Sequence, residues 1–191
     1  MPVPAKGFYV KHVAIGRGTQ NYTCSNETTS PTATGAVATL FDATCLSSTQ
    51  PEILNSLSAL AISYAPSPLP FSSAPSNSGF GDGPIPNLGP SALAVSGVHY
   101  FDAEGVPFFD LERAGAGSVA VEKAAGCAAP GDAGVGLKGE PAVSWLQLVK
   151  VEGSDGSGGL EDVYRVGTVG GSPPKTCEGM PQSFEVEYAA Q

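Results

Sequence analysis

Apolar and polar residues alternate with a period of two along much of this chain. Phe184, Val186 and Tyr188 alternate with Glu185 and Glu187, the pattern of a strand with one buried and one wet face. Strand-length apolar runs bounded by Gly, Pro, Asp and Ser recur at residues 36–42, 92–101, 106–111, 118–123, 143–152, 161–169 and 183–189. Residues 8–15 lead through Gly16-Arg17-Gly18 into residues 19–24, which predicts a strand with a bend or bulge at the glycines. Asp102-Ala103-Glu104-Gly105 is suited to turn one hairpin, and the run 153–159, rich in Gly and Ser, predicts a flexible tip for another. Val143, Trp145, Leu146, Leu148, Val149 and Val151 break the alternation, which predicts a central strand covered on both faces.

The clearest helix signal is Thr49-Gln50-Pro51-Glu52, a capping-box pattern with Pro in the first turn. It precedes Ile53, Leu57, Leu60 and Ala61 at helical spacing, so one short helix is expected, ending near Ser63. Residues 65–90 hold seven prolines and four glycines, which predicts a long irregular excursion. Strands with turn signals between them and one helix predict a mainly β chain. The expected architecture is an antiparallel β-sandwich or barrel forming a single domain over residues 1–191.

Composition narrows the function classes. A chain of 191 residues with 41% hydrophobic and 14% charged residues can bury a sizeable core. A formal charge of −9 disfavours nucleic acid and anionic lipid as partners. No stretch approaches the roughly 20 apolar residues of a membrane helix, so no membrane insertion is expected. Met-Pro-Val-Pro at the N-terminus has no signal-peptide core, which leaves a cytosolic protein or one whose signal was trimmed. Cys24, Cys45, Cys127 and Cys177 are far apart, with no C-x-x-C, and fit disulfides better than a zinc site. Four cysteines allow three pairings, each bridge worth about 3 to 5 kcal/mol in principle. The sequons at Asn21 and Asn26 point, like the cysteines, to a secreted glycoprotein.

Several segments resemble a known family: His12-Val13-Ala14-Ile15-Gly16-Arg17-Gly18-Thr19-Gln20-Asn21-Tyr22-Thr23-Cys24, Ala38-Thr39-Leu40-Phe41-Asp42, Gly97-Val98-His99-Tyr100-Phe101, Ser144-Trp145-Leu146, and Tyr164-Arg165-Val166-Gly167-Thr168-Val169-Gly170-Gly171 before Cys177. Their order and spacing are similar to the secreted fungal and bacterial family catalogued as domain of unknown function 3455, over nearly the whole chain. The resemblance implies secretion, and the pairing Cys24 with Cys177, leaving Cys45 with Cys127. It implies no established activity, although some members carry a malate dehydrogenase label. The residues disagree with that label. Gly16-Arg17-Gly18-Thr19-Gln20-Asn21 lacks the third Gly of a dinucleotide-binding turn and runs into a β-like Tyr-Thr-Cys rather than a helix.

His99, with Asp102 and Asp110 near in sequence, is the candidate general base, against the plainer reading of a histidine that hydrogen-bonds a neighbouring strand. Arg165 lies in a predicted strand and needs a carboxylate or a ligand anion; Asp42 or Asp110 are candidates for a structural pair. Gln20, Tyr22, Tyr100 and Trp145 are candidate ligand-binding residues, with core packing as the alternative. Two histidines are too few for a three-histidine zinc, and no metal or cofactor is expected. The sequence contains no G-x-S-x-G nucleophile turn. The preferred expectation is a secreted domain that binds a small apolar or carbohydrate ligand or serves a surface role. The alternative is an extracellular hydrolase or isomerase using His99, Asp102 or Asp110, and Arg165.

Overall fold

The computed structural model describes residues 1–64 and 87–191, so most of the Pro-rich excursion lies outside the described residues. The strands are β1 (Ala14–Thr23), β2 (Thr32–Asp42), β3 (Val95–Phe101), β4 (Pro107–Leu111), β5 (Gly117–Cys127), β6 (Trp145–Lys150), β7 (Asp162–Arg165), β8 (Val169–Gly170) and β9 (Ser183–Ala190). They form one antiparallel sheet in the order β7-β6-β5-β4-β3-β2-β1-β9-β8. The chain is thus mainly β, but one curled half-barrel takes the place of two stacked sheets.

The two edges of this sheet are consecutive in the chain. β7 pairs with β6, Leu146 facing Arg165, while β8 pairs with β9, Val169 facing Ala189. Val166 and Gln191 exchange both backbone hydrogen bonds between them, at 2.9 and 2.8 Å. The run read from sequence as one strand over 161–169 is therefore two strands, and the stretch joining them closes the corner of the half-barrel.

Among the described residues two α-helices, where one was expected, cover one face: α1 (Thr44–Thr49) and α2 (Pro51–Ala61). Pro51 opens α2 as its pattern predicts, but the capping box does not form. Thr49 belongs to the last turn of α1, and its hydroxyl donates back to the Cys45 carbonyl at 2.8 Å. Leu54, Leu57, Ala61 and Ile62 pack against Ile15, Phe41, Val95 and Ala189 of the sheet. On the opposite face Ala38, Leu40, Leu111, Val143 and Tyr188 pack together beside Val119, Val121 and Leu148.

Arg17 ties the helical layer down. It is 1% exposed, donates to the carbonyls of Tyr64 (2.9 Å) and Ile62 (3.4 Å) just past α2, and pairs with Glu187. A cation suits a helix C-terminus, where carbonyls lack amide partners.

Gly16-Arg17-Gly18 makes no bend. β1 runs through it in continuous register with β2, and the shift in pairing comes later, between Asn21 and Tyr22. Gly18 is there because a Cβ would stand 1.8 Å from the Val37 carbonyl oxygen. β6 lies one strand from an edge, with Leu148 its only buried residue, so the expectation of a central strand covered on both faces is corrected. Residues 153–159 are docked rather than free: Ser157 N donates to Ser118 O at 2.9 Å and Ser157 Oγ accepts from Ser118 N at 3.0 Å. Among the described residues, no helix is long and apolar enough to cross a membrane.

Cys24 and Cys177 form a disulfide, Cα to Cα 5.8 Å, tying the end of β1 to the segment ahead of β9. Cys45 and Cys127 are free and exposed, which corrects the second pairing. Register explains it. Cys45 follows the end of β2 that lies level with the start of β5, whereas Cys127 is the last residue of β5, about 30 Å of strand away.

Candidate functional site

Side chains in a sheet alternate between faces, so cross-strand partners share one. Gly18 pairs with Ala38 and Tyr188, Ala38 with His99, His99 with Phe109, and Phe109 with Val119. Continuing through Val121, Lys150, Leu148 and Leu146, the same face reaches Arg165. Gln20 and Tyr22 lie on it by their spacing from Gly18. Arg165 is six strands from β1 in the sheet order, yet its charge acts on Tyr22, Tyr188 and His99. Only a sheet curled with this face inward brings those groups together.

The cluster places polar groups beside the apolar side chains that pack on the same face. Gln20 is 8% exposed and stands beside the Tyr188 hydroxyl without closing a hydrogen bond: its Nε2 is buried with no partner. Tyr22 donates to the Gly171 carbonyl at 2.7 Å and stacks on Phe184, ring centres 5.5 Å apart. Gly171 has φ +92°, and a Cβ there would stand 2.8 Å from that of Tyr188, so this turn needs glycine to press against the cluster. Arg165 is half-buried; its Nη2 donates to the Ser144 carbonyl at 2.9 Å, while its Nε is buried without a partner.

His99 sits within β3, two residues before its end. Its ring stacks on Phe109 with centroids 4.2 Å apart, and Nδ1 lies 3.0 Å from the Phe108 carbonyl oxygen. That contact makes Nδ1 the protonated nitrogen of the neutral ring and leaves Nε2 as an acceptor. Burial pushes the imidazole down to about 4; the Phe108 bond opposes the shift and the Arg165 charge adds to it. Burial raises the phenols of Tyr22 and Tyr188, with Arg165 working against the rise in both. Burial lowers the Arg165 guanidinium, with the two tyrosines opposing.

The expected carboxylate partners are elsewhere. Asp110 pairs with Val98, on the other face, and its Oδ1 accepts from the Glu112 amide at 3.0 Å. Asp102 organises the β3–β4 turn, accepting from the amides of Glu104 (3.1 Å) and Val106 (2.7 Å). Asp42, the other acid weighed as a partner for Arg165, accepts from the Thr44 amide at 2.8 Å. Alternation also turns Tyr100 and Trp145 away from the cluster: Tyr100 meets Phe108 at 5.4 Å and Trp145 begins β6 opposite Cys127. Of the sequence-predicted residues, the curled face gathers Gln20, Tyr22, His99 and Arg165. It adds Tyr188, which the sequence pattern marks only as a core position.

At the Tyr22 end a surface depression of about 450 Å³ is lined by Tyr22, Phe184, Thr23, Thr34, Ser183 and Glu185, among others. A second, of about 320 Å³, is lined by small residues such as Ala128, Pro130 and Ala142. Asn26 is exposed in the loop after β1, whereas Asn21 lies half-buried on the strand. Among the described residues, no group of three or more His, Cys, Asp or Glu is placed to hold a metal ion.

The family model described as "Protein of unknown function (DUF3455)" matches residues 4–191. The chain belongs to the DUF3455 family. Searches of curated proteins and of solved structures found no match. In this DUF3455 chain the glycines of Gly16-Arg17-Gly18 lie inside a paired strand, not at a strand-to-helix turn, so that segment cannot present amides to a pyrophosphate. Two of the six buried side-chain atoms without a hydrogen-bond partner among the described residues of this DUF3455 chain, Gln20 Nε2 and Arg165 Nε, lie on the concave face.

Proposed function

We propose that this chain is a secreted binding domain that takes a small hydroxylated ligand, a carbohydrate, at the concave-face cluster. The observation that carries the reading is the pair of buried donors without partners, Gln20 Nε2 and Arg165 Nε, on one face with the Nε2 acceptor of His99. Buried polar groups are normally satisfied within a fold, and two unsatisfied donors sharing a face with a free acceptor support a ligand or water completing them there. Apolar positions on the same face already pack against one another, which favours a polar ligand over an apolar one. The Tyr22–Phe184 stack beside hydroxyl and carboxyl side chains gives a sugar ring an aromatic edge to approach along.

Export to an oxidising compartment fits the Cys24–Cys177 bridge, and Asn26, exposed on its loop, is the sequon placed to carry a glycan. An acid–base role for His99 draws no comparable support, because neither Asp102 nor Asp110 faces it. A calorimetric screen of neutral and acidic mono- and disaccharides tests the binding reading. At least one member should bind saturably at one per chain, and Gln20→Leu should weaken it about tenfold, close to 1.4 kcal/mol. No binding by any member, or an affinity unmoved in Gln20→Leu, would remove the cluster from the function.

A further inference from the structure

We propose that the ligand of this cluster carries a carboxylate held by Arg165, so that an acidic sugar binds in preference to its neutral counterpart; this rests on the binding reading above. The unmet capacity is mostly donor. Arg165 Nε and Gln20 Nε2 have no acceptor, and of the guanidinium fork one arm alone is engaged, on the Ser144 carbonyl. A guanidinium presents its N–H groups in the plane and spacing that a carboxylate matches with two parallel bonds.

Charge makes the same demand. Among the described residues no carboxylate stands within ion-pairing distance of Arg165. The groups on which its charge acts are two phenols and an imidazole, all uncharged near neutral pH. Strand positions on the concave face include one acid, Asp42, at the opposite end of β1 and β2 from Tyr22, with its Oδ1 already accepting from the Thr44 amide. A half-buried cation without a counter-ion is costly, and a ligand carboxylate supplies both the charge and the acceptors. His99 complements it, because an Nε2 lone pair accepts from a hydroxyl neighbouring that carboxylate. The net charge of −9 repels anions at long range, so the preference must arise from these local contacts.

Isotope-labelled protein titrated with D-galacturonate, D-galactose and D-glycerate, following the Arg165 Nε–H resonance, tests this directly. Galacturonate should shift the Arg165 signal saturably and bind at least tenfold more tightly than galactose. Arg165→Gln should abolish that preference while keeping a dispersed, folded amide spectrum, and Arg165→Lys should retain part of it. Glycerate weaker than galacturonate assigns an acidic sugar; glycerate equally tight assigns a small hydroxy acid, and both support the carboxylate. Galactose bound at the cluster as tightly as galacturonate would overturn the carboxylate and leave the binding reading standing. No saturable shift at the cluster from any of the three would overturn both.

Discussion

His99 and Arg165 show how the same residue types acquire different meanings from their surroundings. A histidine near two aspartates in sequence reads as a candidate base, and only strand register reveals that Asp110 faces away and Asp102 is engaged in a turn. What remains is a neutral imidazole stacked on Phe109, and that has a consequence for stability. Its folded pKa is lowered from 6.5 to about 4, so between those values the unfolded chain binds the proton more readily. The contribution is fully present above pH 6.5 and is lost as pH falls towards 4, up to about 3 kcal/mol. Urea unfolding of wild type and His99→Phe at pH 7 and pH 4.5 should show the gap between them shifting in favour of the variant at the lower pH by about 2 to 3 kcal/mol. An unchanged gap would mean that His99 is solvated rather than buried.

Strands and their turns were largely legible in the sequence, because alternation such as Phe184-Glu185-Val186-Glu187-Tyr188 is a direct imprint of one wet face. Three features were not, each because a contact distant in sequence decides it. Gly18 looks like a bend locally, but the demand comes from Val37 across the ladder. The 161–169 run looks like one strand, but its two ends form opposite edges of the sheet. The cysteines allow several pairings in sequence, and the register separates Cys45 from Cys127 while β1 and the segment before β9 bring Cys24 to Cys177. Thiol titration of native protein should therefore find two reactive groups per chain. The variant Cys177→Ala, losing a bridge that spans 153 positions, should be less stable by about 3 to 5 kcal/mol in urea unfolding. Four reactive thiols, or none, in the native state would contradict this connectivity.

The binding reading depends on the closure of the molecule as a whole. Gln20 and Tyr22 were legible as polar-tipped residues on a strand and Arg165 as a charge in want of a partner, but nothing local says that they meet. They meet because the sheet curls until β7 and β8, separated by residues 166–168, stand at its two edges. Tyr188 joins them for the same reason, and no periodicity distinguishes it from an ordinary core tyrosine. The most direct test of this closure is a nuclear Overhauser spectrum of the backbone of residues 162–170. Cross-strand contacts should run from 162–165 to Leu146–Val149 and, in the same spectrum, from 166–170 to Tyr188–Gln191. Contacts to one of these partners without the other would leave the sheet open, separate Arg165 from Gln20, Tyr22 and Tyr188, and remove the site.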